Sequence, residues 1–485
     1  MRRALALLIA FALSACARQE TDGAVDVAYL AGEDGLFADG LRIGPGAQLV
    51  RAARWQGLVR LDERGEVVPG VAERWIVTDD GLSYIFRLRP QGIEDERELS
   101  AQALARTLGR AIRALDGTSL GLDLAPVRDV RAMTGRVIEI RLDTPFPGLL
   151  QLLAQPELAL AGASDGGALM TFVREGDAAI LTPLPPEARG LPGQGDWTEL
   201  VQPVSIRSAP PGAALEGFAD GVYDVVLGGT IATLPLAASG PLSAGTVRLD
   251  PAIGLFGIDV LRADGFLEQA ENREALALAI ERPALIEPLG VGGWAATARF
   301  VPANLPGEED PAERWPGLSL DERRAVAVAR VARWKAANGG SLRLSIALPE
   351  GPGAEILYRG LREQLGEIGI ALILAEPGAN ADLGLRDRVA RFAGPRWFLN
   401  QFHCSLAPAQ CAPEADSLVA ASLAARDPAE QARLIAEAEA VLTARNLFIP
   451  LGAPIRWSKV RSAVGGFEEN AWSFHPLLPL SGAPI

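Results

Sequence analysis

The chain has 485 residues, of which 49% are hydrophobic, and its formal net charge is −14 at pH 7. This length can bury a large core and suggests about three domain-sized units. The acidic balance argues against a surface for nucleic acid or for an anionic membrane. Two histidines and three cysteines leave little material for a metal site or a catalytic triad.

The N-terminus has the order of an export signal. A basic Arg2-Arg3 pair precedes an apolar run at residues 4–13, and small residues follow. This run is too short to span a bilayer, which needs about 20 residues. We therefore expect residues 1–15 to be a signal peptide.

Residues 13–16, Leu-Ser-Ala-Cys, resemble a bacterial lipobox, in which Cys16 is lipidated and becomes the mature N-terminus. An ordinary signal peptide with a chance cysteine is the alternative. Residues 16–24 would then be a short polar tether. We expect a membrane-anchored lipoprotein of the periplasm that meets the membrane only through its lipid.

The stretch from Trp55 to Arg89 has the pattern of an antiparallel meander. Asp80-Gly81 offers the positive-φ position of a tight hairpin, and apolar and polar side chains alternate through residues 83–88. Beyond it, Ser100 is a candidate N-cap for a helix that runs to about residue 115. Asp427 is a candidate cap for a helix at 428–445, which has proline at its first position.

Three blocks of the chain resemble one known family. Residues 55–89 read WQGLVRLD, PGVAERW and DDGLSYIFRLR in order, residues 254–302 include NREALALAIER, and residues 427–467 include FIPL. This order is similar to the extracellular solute-binding proteins of family 5, the oligopeptide, dipeptide and nickel receptors of bacterial ABC importers. The resemblance is thin between the blocks.

The resemblance implies an α/β fold with two lobes, the type II or cluster C-like periplasmic binding protein fold. The first lobe would comprise residues 25–253 and 461–485, with an extra β-rich subdomain at about 49–160. The second would comprise residues 254–460, joined through hinge strands. The family's function would be to bind a peptide-like or small anionic solute between the lobes and deliver it to ABC permease and ATPase subunits. We expect a monomer without cofactor, nucleic acid or enzymatic activity.

A cluster of arginines and aromatic residues is the candidate ligand site. In peptide-binding members a segment A-D-Y-x-x-P-x-x-F-L lies here, and its Asp holds the α-amino group of the ligand. Alignment on Pro395 and Phe398 places Arg391 at this Asp, which reverses the charge. A slipped alignment, or pairing of these arginines with surface carboxylates, is the alternative. The predicted ligand-binding residues are Arg388, Arg391, Phe392 and Trp397.

The cysteines and histidines allow two interpretations. His403, Cys404, Cys411 and His475 could form a zinc site, but their spacing fits no usual ligand pattern. With Cys16 lipidated, Cys404 and Cys411 are the pair that remains in an oxidising compartment. Family members often carry a disulfide-closed loop at this place, so we predict a Cys404–Cys411 disulfide and no metal.

Two other functions stay open. Residues 117–121 fit the G-x-S-x-G pattern of an exported serine hydrolase with Ser119 as nucleophile, although that motif needs a strand before the serine and a helix after it. A helix is predicted before this serine instead. The second alternative is a binding or sensor module that has lost transport.

Overall fold

The computed structural model describes residues 23–30, 35–90, 100–160, 167–238, 245–303, 305 and 314–483. The predicted signal peptide, Cys16 and most of the tether lie outside these ranges. No helix in the described ranges has both the length and the apolar composition needed to cross a membrane.

The strands of the described residues form four sheets. They are β1 (Val25–Leu30), β2 (Val59–Leu61), β3 (Val67–Pro69), β4 (Ala72–Val77), β5 (Ser83–Leu88), β6 (Val127–Ala132), β7 (Val137–Leu142), β8 (Met170–Glu175), β9 (Ala178–Pro183), β10 (Val204–Ala209), β11 (Val225–Thr230), β12 (Val247–Asp250), β13 (Gly254–Val260), β14 (Leu342–Ala347), β15 (Ile370–Leu374), β16 (Leu383–Val389), β17 (Phe448–Gly452) and β18 (Arg456–Val460).

The helices pack on these sheets. They are α1 (Pro45–Arg54), α2 (Ala101–Ala114), α3 (Ser119–Asp123), α4 (Leu149–Leu153), α5 (Trp197–Leu200), α6 (Pro211–Asp220), α7 (Leu234–Ala237), α8 (Ala270–Ala279), α9 (Arg282–Ile286), α10 (Leu320–Asn338), α11 (Pro352–Glu367), α12 (Pro395–Asn400), α13 (Pro413–Ala424), α14 (Pro428–Arg445) and α15 (Leu477–Leu480).

The first lobe is built on a seven-stranded sheet with the order β12-β18-β11-β1-β10-β9-β8. Its central strand β1 is parallel to both neighbours, β10 and β11, and the outer pairs are antiparallel. The second lobe is built on a five-stranded sheet with the order β15-β14-β16-β13-β17. Strand β13 is buried along its whole length, because helices cover the sheet around it.

The β-rich subdomain contains the β2–β3 pair and a four-stranded antiparallel sheet with the order β4-β5-β7-β6. Gly81 has a φ of +68° at the turn between β4 and β5, which is the conformation that glycine adopts without strain. The predicted hairpin is confirmed. One hydrophobic cluster joins Phe86 and Ile140 of this subdomain to Phe392 and Phe398 of the second lobe.

Two connections join the main sheets. The chain leaves the seven-stranded sheet after β12 and enters the second sheet at β13, where the hinge is predicted. It returns between β17 and β18, since β18 pairs with β11 and β12 of the first lobe. The second lobe was predicted to end at residue 460, and this bound is wrong. Strand β17 belongs to the sheet of the second lobe, whereas β18 belongs to the sheet of the first lobe, so the chain changes lobes at residues 453–455.

The predicted helix caps are confirmed. The Ser100 hydroxyl accepts a hydrogen bond from the Ala103 amide at 3.1 Å, and helix α2 begins at the next residue. Asp427 Oδ1 accepts from the Ala429 amide at 3.1 Å at the start of α14. Both side chains satisfy amide groups that would otherwise lack a partner in the first helical turn.

Candidate functional site

The segment that follows β16 lies where the two lobes contact each other, an interface that we call the seam. Strand β16 ends at Val389, and residues 390–394 connect it to α12. Helix α12 begins at Pro395, whose fixed φ suits the first helical position. Arg391 and Phe392 of this short connection contact the first lobe.

Arg391 forms an ion pair across the seam. Its Nη1 donates to Glu157 Oε1 at 2.9 Å and to Gln155 Oε1 at 3.3 Å. Glu157 lies in the 3₁₀ turn Pro156–Leu158, and its Oε1 also accepts from Gln48 of α1 at 2.9 Å. The Glu157 side chain is 3% exposed and that of Arg391 is 25% exposed. The pair is therefore screened less by solvent than an ordinary surface ion pair.

A second guanidinium lies near the same carboxylate. Burial lowers the pKa of Arg51, and the charges of Glu157 and Asp39 oppose that effect. Arg51 Nε and Glu157 Oε2 are both buried without a hydrogen-bond partner among the described residues. This part of the seam therefore holds two guanidiniums near Glu157, and it has polar atoms without a partner among the described residues.

Aromatic side chains pack against each other across the seam, beside this ion pair. The rings of Phe392 and of Phe146 in the β-rich subdomain meet edge to face, with centroids 5.1 Å apart. The Arg396 guanidinium lies 4.4 Å from the centroid of the same Phe146 ring. Phe392 is buried, so it packs between the lobes in this conformation.

Asp123 is a buried carboxylate at the same interface. Its Oδ1 accepts from Asn400 Nδ2 at 2.7 Å, and its backbone carbonyl accepts from Arg396 Nη2 at 2.7 Å. Burial raises the pKa of Asp123 to about 7, against the opposing effects of the Asn400 hydrogen bond and the Arg396 charge. Helix α3 of the first lobe is thus held to α12 of the second through polar contacts.

Comparison with known proteins identifies the architecture. No family model matches the chain. It is 24% identical over 472 residues to Di/tripeptide-binding protein 4 of Pseudomonas aeruginosa (strain UCBPP-PA14), covering 84% of this chain and 85% of that protein. The chain is thus a distant homologue of that di/tripeptide-binding protein. Its fold is that of the two-lobed periplasmic binding proteins.

Two solved structures share this fold. The Escherichia coli murein tripeptide binding protein MppA has a TM-score of 0.75 at 17% identity, with 94% of this chain and 97% of that chain covered. Haemophilus influenzae OppA in complex with RPPGFSPFR has a TM-score of 0.74 at 17% identity, with 95% and 99% covered. Both matches extend over both lobes.

The four predicted ligand residues of this chain lie in different surroundings. Arg391 and Phe392 meet the first lobe at the seam. Trp397 is 2% exposed, packs against Phe398 and leaves its buried Nε1 without a partner among the described residues. Arg388 is exposed on β16 and donates to Gln401 Oε1 at 3.2 Å. Trp397 is therefore not an open wall of a cavity in this conformation.

Sequence reasoning missed Glu157 and Asp123. Each is a single carboxylate inside an apolar stretch, AQPELALA and LGLDLAP respectively. A charged residue isolated in this way is a signal, because an unpaired carboxylate is seldom buried. The local sequence does not indicate that Arg391 is the partner of Glu157 or that Asn400 is the partner of Asp123.

The remaining candidate residues have structural partners. A disulfide joins Cys404 and Cys411, with Cα atoms 4.9 Å apart, a separation within the usual range. His403 lies 3.7 Å from Asp416, and His475 lies 3.2 Å from Asp250. Within the described ranges, no group of three or more His, Cys, Asp or Glu side chains is placed to hold a metal.

Ser119 does not have the surroundings of a hydrolase nucleophile. It is the first residue of α3, and its Oγ accepts from Gln401 Nε2 at 3.0 Å. The segment before it is the turn that follows α2, so the strand required before a nucleophile elbow is missing at this point. The two histidines of the chain pair with other carboxylates.

Proposed function

We propose that this protein is the periplasmic substrate-binding component of an ABC importer. It binds a peptide-like or small anionic solute between its lobes and delivers the solute to permease and ATPase subunits. The observation that carries this proposal is the ion pair between Arg391 of the second lobe and Glu157 of the first. It lies where the lobes meet, so a ligand bound there contacts both lobes and favours their closure.

The charges at the seam favour an anionic group on the ligand. Arg391 uses Nη1 for Glu157 and Gln155, which leaves its Nη2 and Nε hydrogens for a carboxylate or phosphate. Arg51 adds a second guanidinium whose buried Nε has no partner among the described residues. Guanidinium groups hold carboxylates and phosphates through paired hydrogen bonds, whereas a ligand ammonium would meet two like charges.

A peptide-like ligand is supported by the named relative, which is a di/tripeptide-binding protein. A free amino end would still have one acceptor, the unpartnered Glu157 Oε2. We therefore propose that the ligand presents a carboxylate or phosphate to Arg391, and that it has either a blocked amino end or an amine that reaches Glu157. The mechanism is binding and lobe closure, without covalent chemistry.

Isothermal titration calorimetry on the soluble mature protein tests the assignment. The ligands are dipeptides and tripeptides with free amines, the same peptides N-acetylated, and the same peptides amidated at the carboxyl end. We expect acetylated peptides with a free carboxylate to bind more tightly than amidated ones. Arg391→Asp should weaken binding at least about tenfold, a loss typical of a truncated charged hydrogen bond.

Arg359→Asp on the exposed face of α11 is the matched control, because it makes the same charge change outside the seam. Its affinity should equal that of the wild type. Tight binding of free-amine peptides by the wild type that is unchanged in Arg391→Asp would remove Arg391 from the ligand site. Co-purification of permease subunits with the full-length chain would exclude a transport-inactive sensor.

A further inference from the structure

An open groove runs between α2 and β6 on the β-rich subdomain, away from the seam residues described above. Its volume is about 880 Å³. The helix contributes residues between Gln102 and Arg113, and the strand contributes all of Val127–Ala132. At 1.5 Å per helical residue and about 3.3 Å per strand residue, the two walls are each about 17 Å long. We call this feature the α2–β6 groove.

The α2–β6 groove is rich in arginine although the chain as a whole is acidic. Arg106, Arg110 and Arg113 are exposed and share one face of α2, because they are spaced by four and three residues. No carboxylate of the described residues lies within ion-pair distance of these three guanidiniums. The strand side adds Arg128 and Arg131, and these two arginines are paired with Asp143 at 4.0 Å and with Glu139 at 2.6 Å. Among the described residues, the helix wall therefore carries three guanidinium charges without a carboxylate partner.

The other wall is an open sheet edge. Strand β6 is last in the order β4-β5-β7-β6, and β7 is its one strand partner in the described part of the chain. Consecutive residues of a strand point to opposite faces of the sheet. Because all six consecutive residues of β6 line the groove, the groove follows the edge of the strand, where backbone N–H and C=O groups point away from β7. Such an edge pairs with extended segments unless something prevents it.

We propose that the α2–β6 groove binds an extended acidic peptide segment of a partner protein. The segment pairs its backbone with β6 and directs its carboxylates to Arg106, Arg110 and Arg113. Alternate side chains of an extended chain are about 7 Å apart, and Arg106 and Arg110 are about 6 Å apart along the helix axis. Strand addition to a free edge is a recurring form of peptide recognition. A flat anionic membrane would not reach the floor of a groove between a helix and a strand.

The test uses a fluorescein-labelled peptide of alternating valine and glutamate, acetylated and amidated at its ends, and fluorescence anisotropy with the mature protein. We expect binding that weakens as salt is raised. The Arg106→Gln/Arg110→Gln/Arg113→Gln variant should lose at least about tenfold in affinity. The control variant is Arg333→Gln/Arg359→Gln/Arg362→Gln, which removes the same charge from exposed positions on α10 and α11 and should bind as the wild type does.

Two further peptides separate backbone pairing from charge attraction. Replacing each glutamate with lysine should abolish binding, and N-methylation of alternate peptide bonds should weaken it strongly because the donors to β6 are removed. Full affinity of the N-methylated peptide would overturn strand pairing. Equal affinity of the wild type and the α2 triple variant would overturn the site, and so would no binding by the wild type. The arginines would then serve to prevent other chains from pairing with the edge strand. A photo-crosslinking group on the peptide should label residues 102–113 or 127–132 and not residues 155–157 or 391–392, which separates this site from the ligand site.

Discussion

Asp123→Asn tests whether the buried carboxylate at the lobe interface makes stability depend on pH. Burial raises the pKa of Asp123 from 3.8 to about 7. Between these values the folded protein keeps a proton on Asp123 that the unfolded chain releases. Stability therefore falls as pH rises from about 4 to about 7, and it levels off once both states are ionised. The sign is opposite to that of a salt-bridged carboxylate with a depressed pKa.

The magnitude follows from the size of the shift. About three pKa units at 1.36 kcal/mol per unit amount to about 4 kcal/mol of lost stability above pH 7. Over the practical window from pH 5 to pH 8, the same two pKa values give a loss of about 2–3 kcal/mol. Asparagine removes this titration and keeps an oxygen that can accept from Asn400. Its amide group replaces an oxygen that has no partner, which adds a penalty of about 1–2 kcal/mol that does not change with pH.

Guanidinium unfolding, followed by tryptophan fluorescence at intervals between pH 5 and pH 8, measures the effect. We expect the difference in free energy of unfolding between Asp123→Asn and the wild type to shift in favour of the variant as pH rises, by about 2–3 kcal/mol across the window. Asp143→Asn, at an exposed aspartate, is the control and should follow the wild type. Parallel pH profiles of Asp123→Asn and the wild type would show that Asp123 is already ionised in the folded state, and the reasoning from burial would fail.

Three other outcomes are expected. Cys16→Ser should abolish fatty-acid labelling and release the protein from membranes; equal labelling of variant and wild type would refute the lipobox interpretation. Reduction of the Cys404–Cys411 disulfide should lower the free energy of unfolding by at most about 2 to 2.5 kcal/mol, because the loop is short, and thiol titration of the unfolded, unreduced mature protein should find no free thiol from this pair. Glu157→Gln should weaken lobe closure, since Arg391 loses its counterion; small-angle scattering of the ligand-free protein should show a larger radius of gyration than the wild type, and an unchanged radius would mean that the pair does not hold the lobes.

The features that could be predicted from the sequence depend on neighbours in the chain. The Ser100 and Asp427 caps each bind an amide two or three residues away, and the Gly81 turn joins adjacent strands. The resemblance identified Arg391 as a ligand-binding residue from its position relative to Pro395, and this stays a prediction; the structure places Arg391 beside Glu157 of the first lobe. The order of strands in the sheets was not predicted, and β18 was assigned to the wrong lobe since its apolar pattern suits either sheet.

The partners of the seam could not be predicted for a different reason. Glu157 and Arg391 are 234 positions apart, and Asp123 and Asn400 are 277 positions apart. No periodicity or spacing rule connects residues at such distances, since their contact exists only after both lobes have folded and met. An isolated carboxylate in an apolar stretch marks one half of each pair without identifying the other.

The ion pair with Glu157 gives Arg391 a structural role at the seam, beside its proposed role in ligand binding. A solvated arginine needs no partner, and most exposed ion pairs contribute little. Glu157, however, is almost fully buried, and a buried carboxylate without a counterion is strongly destabilising. Gln48 Nε2 donates to Glu157 from the same lobe, and Gln155 Oε1 accepts from Arg391. Replacement of Arg391 alone would therefore leave Glu157 uncompensated unless Arg51 moved toward it. A ligand carboxylate that binds Arg391 instead shares a guanidinium already fixed in position, so the entropy lost on binding by the arginine is small.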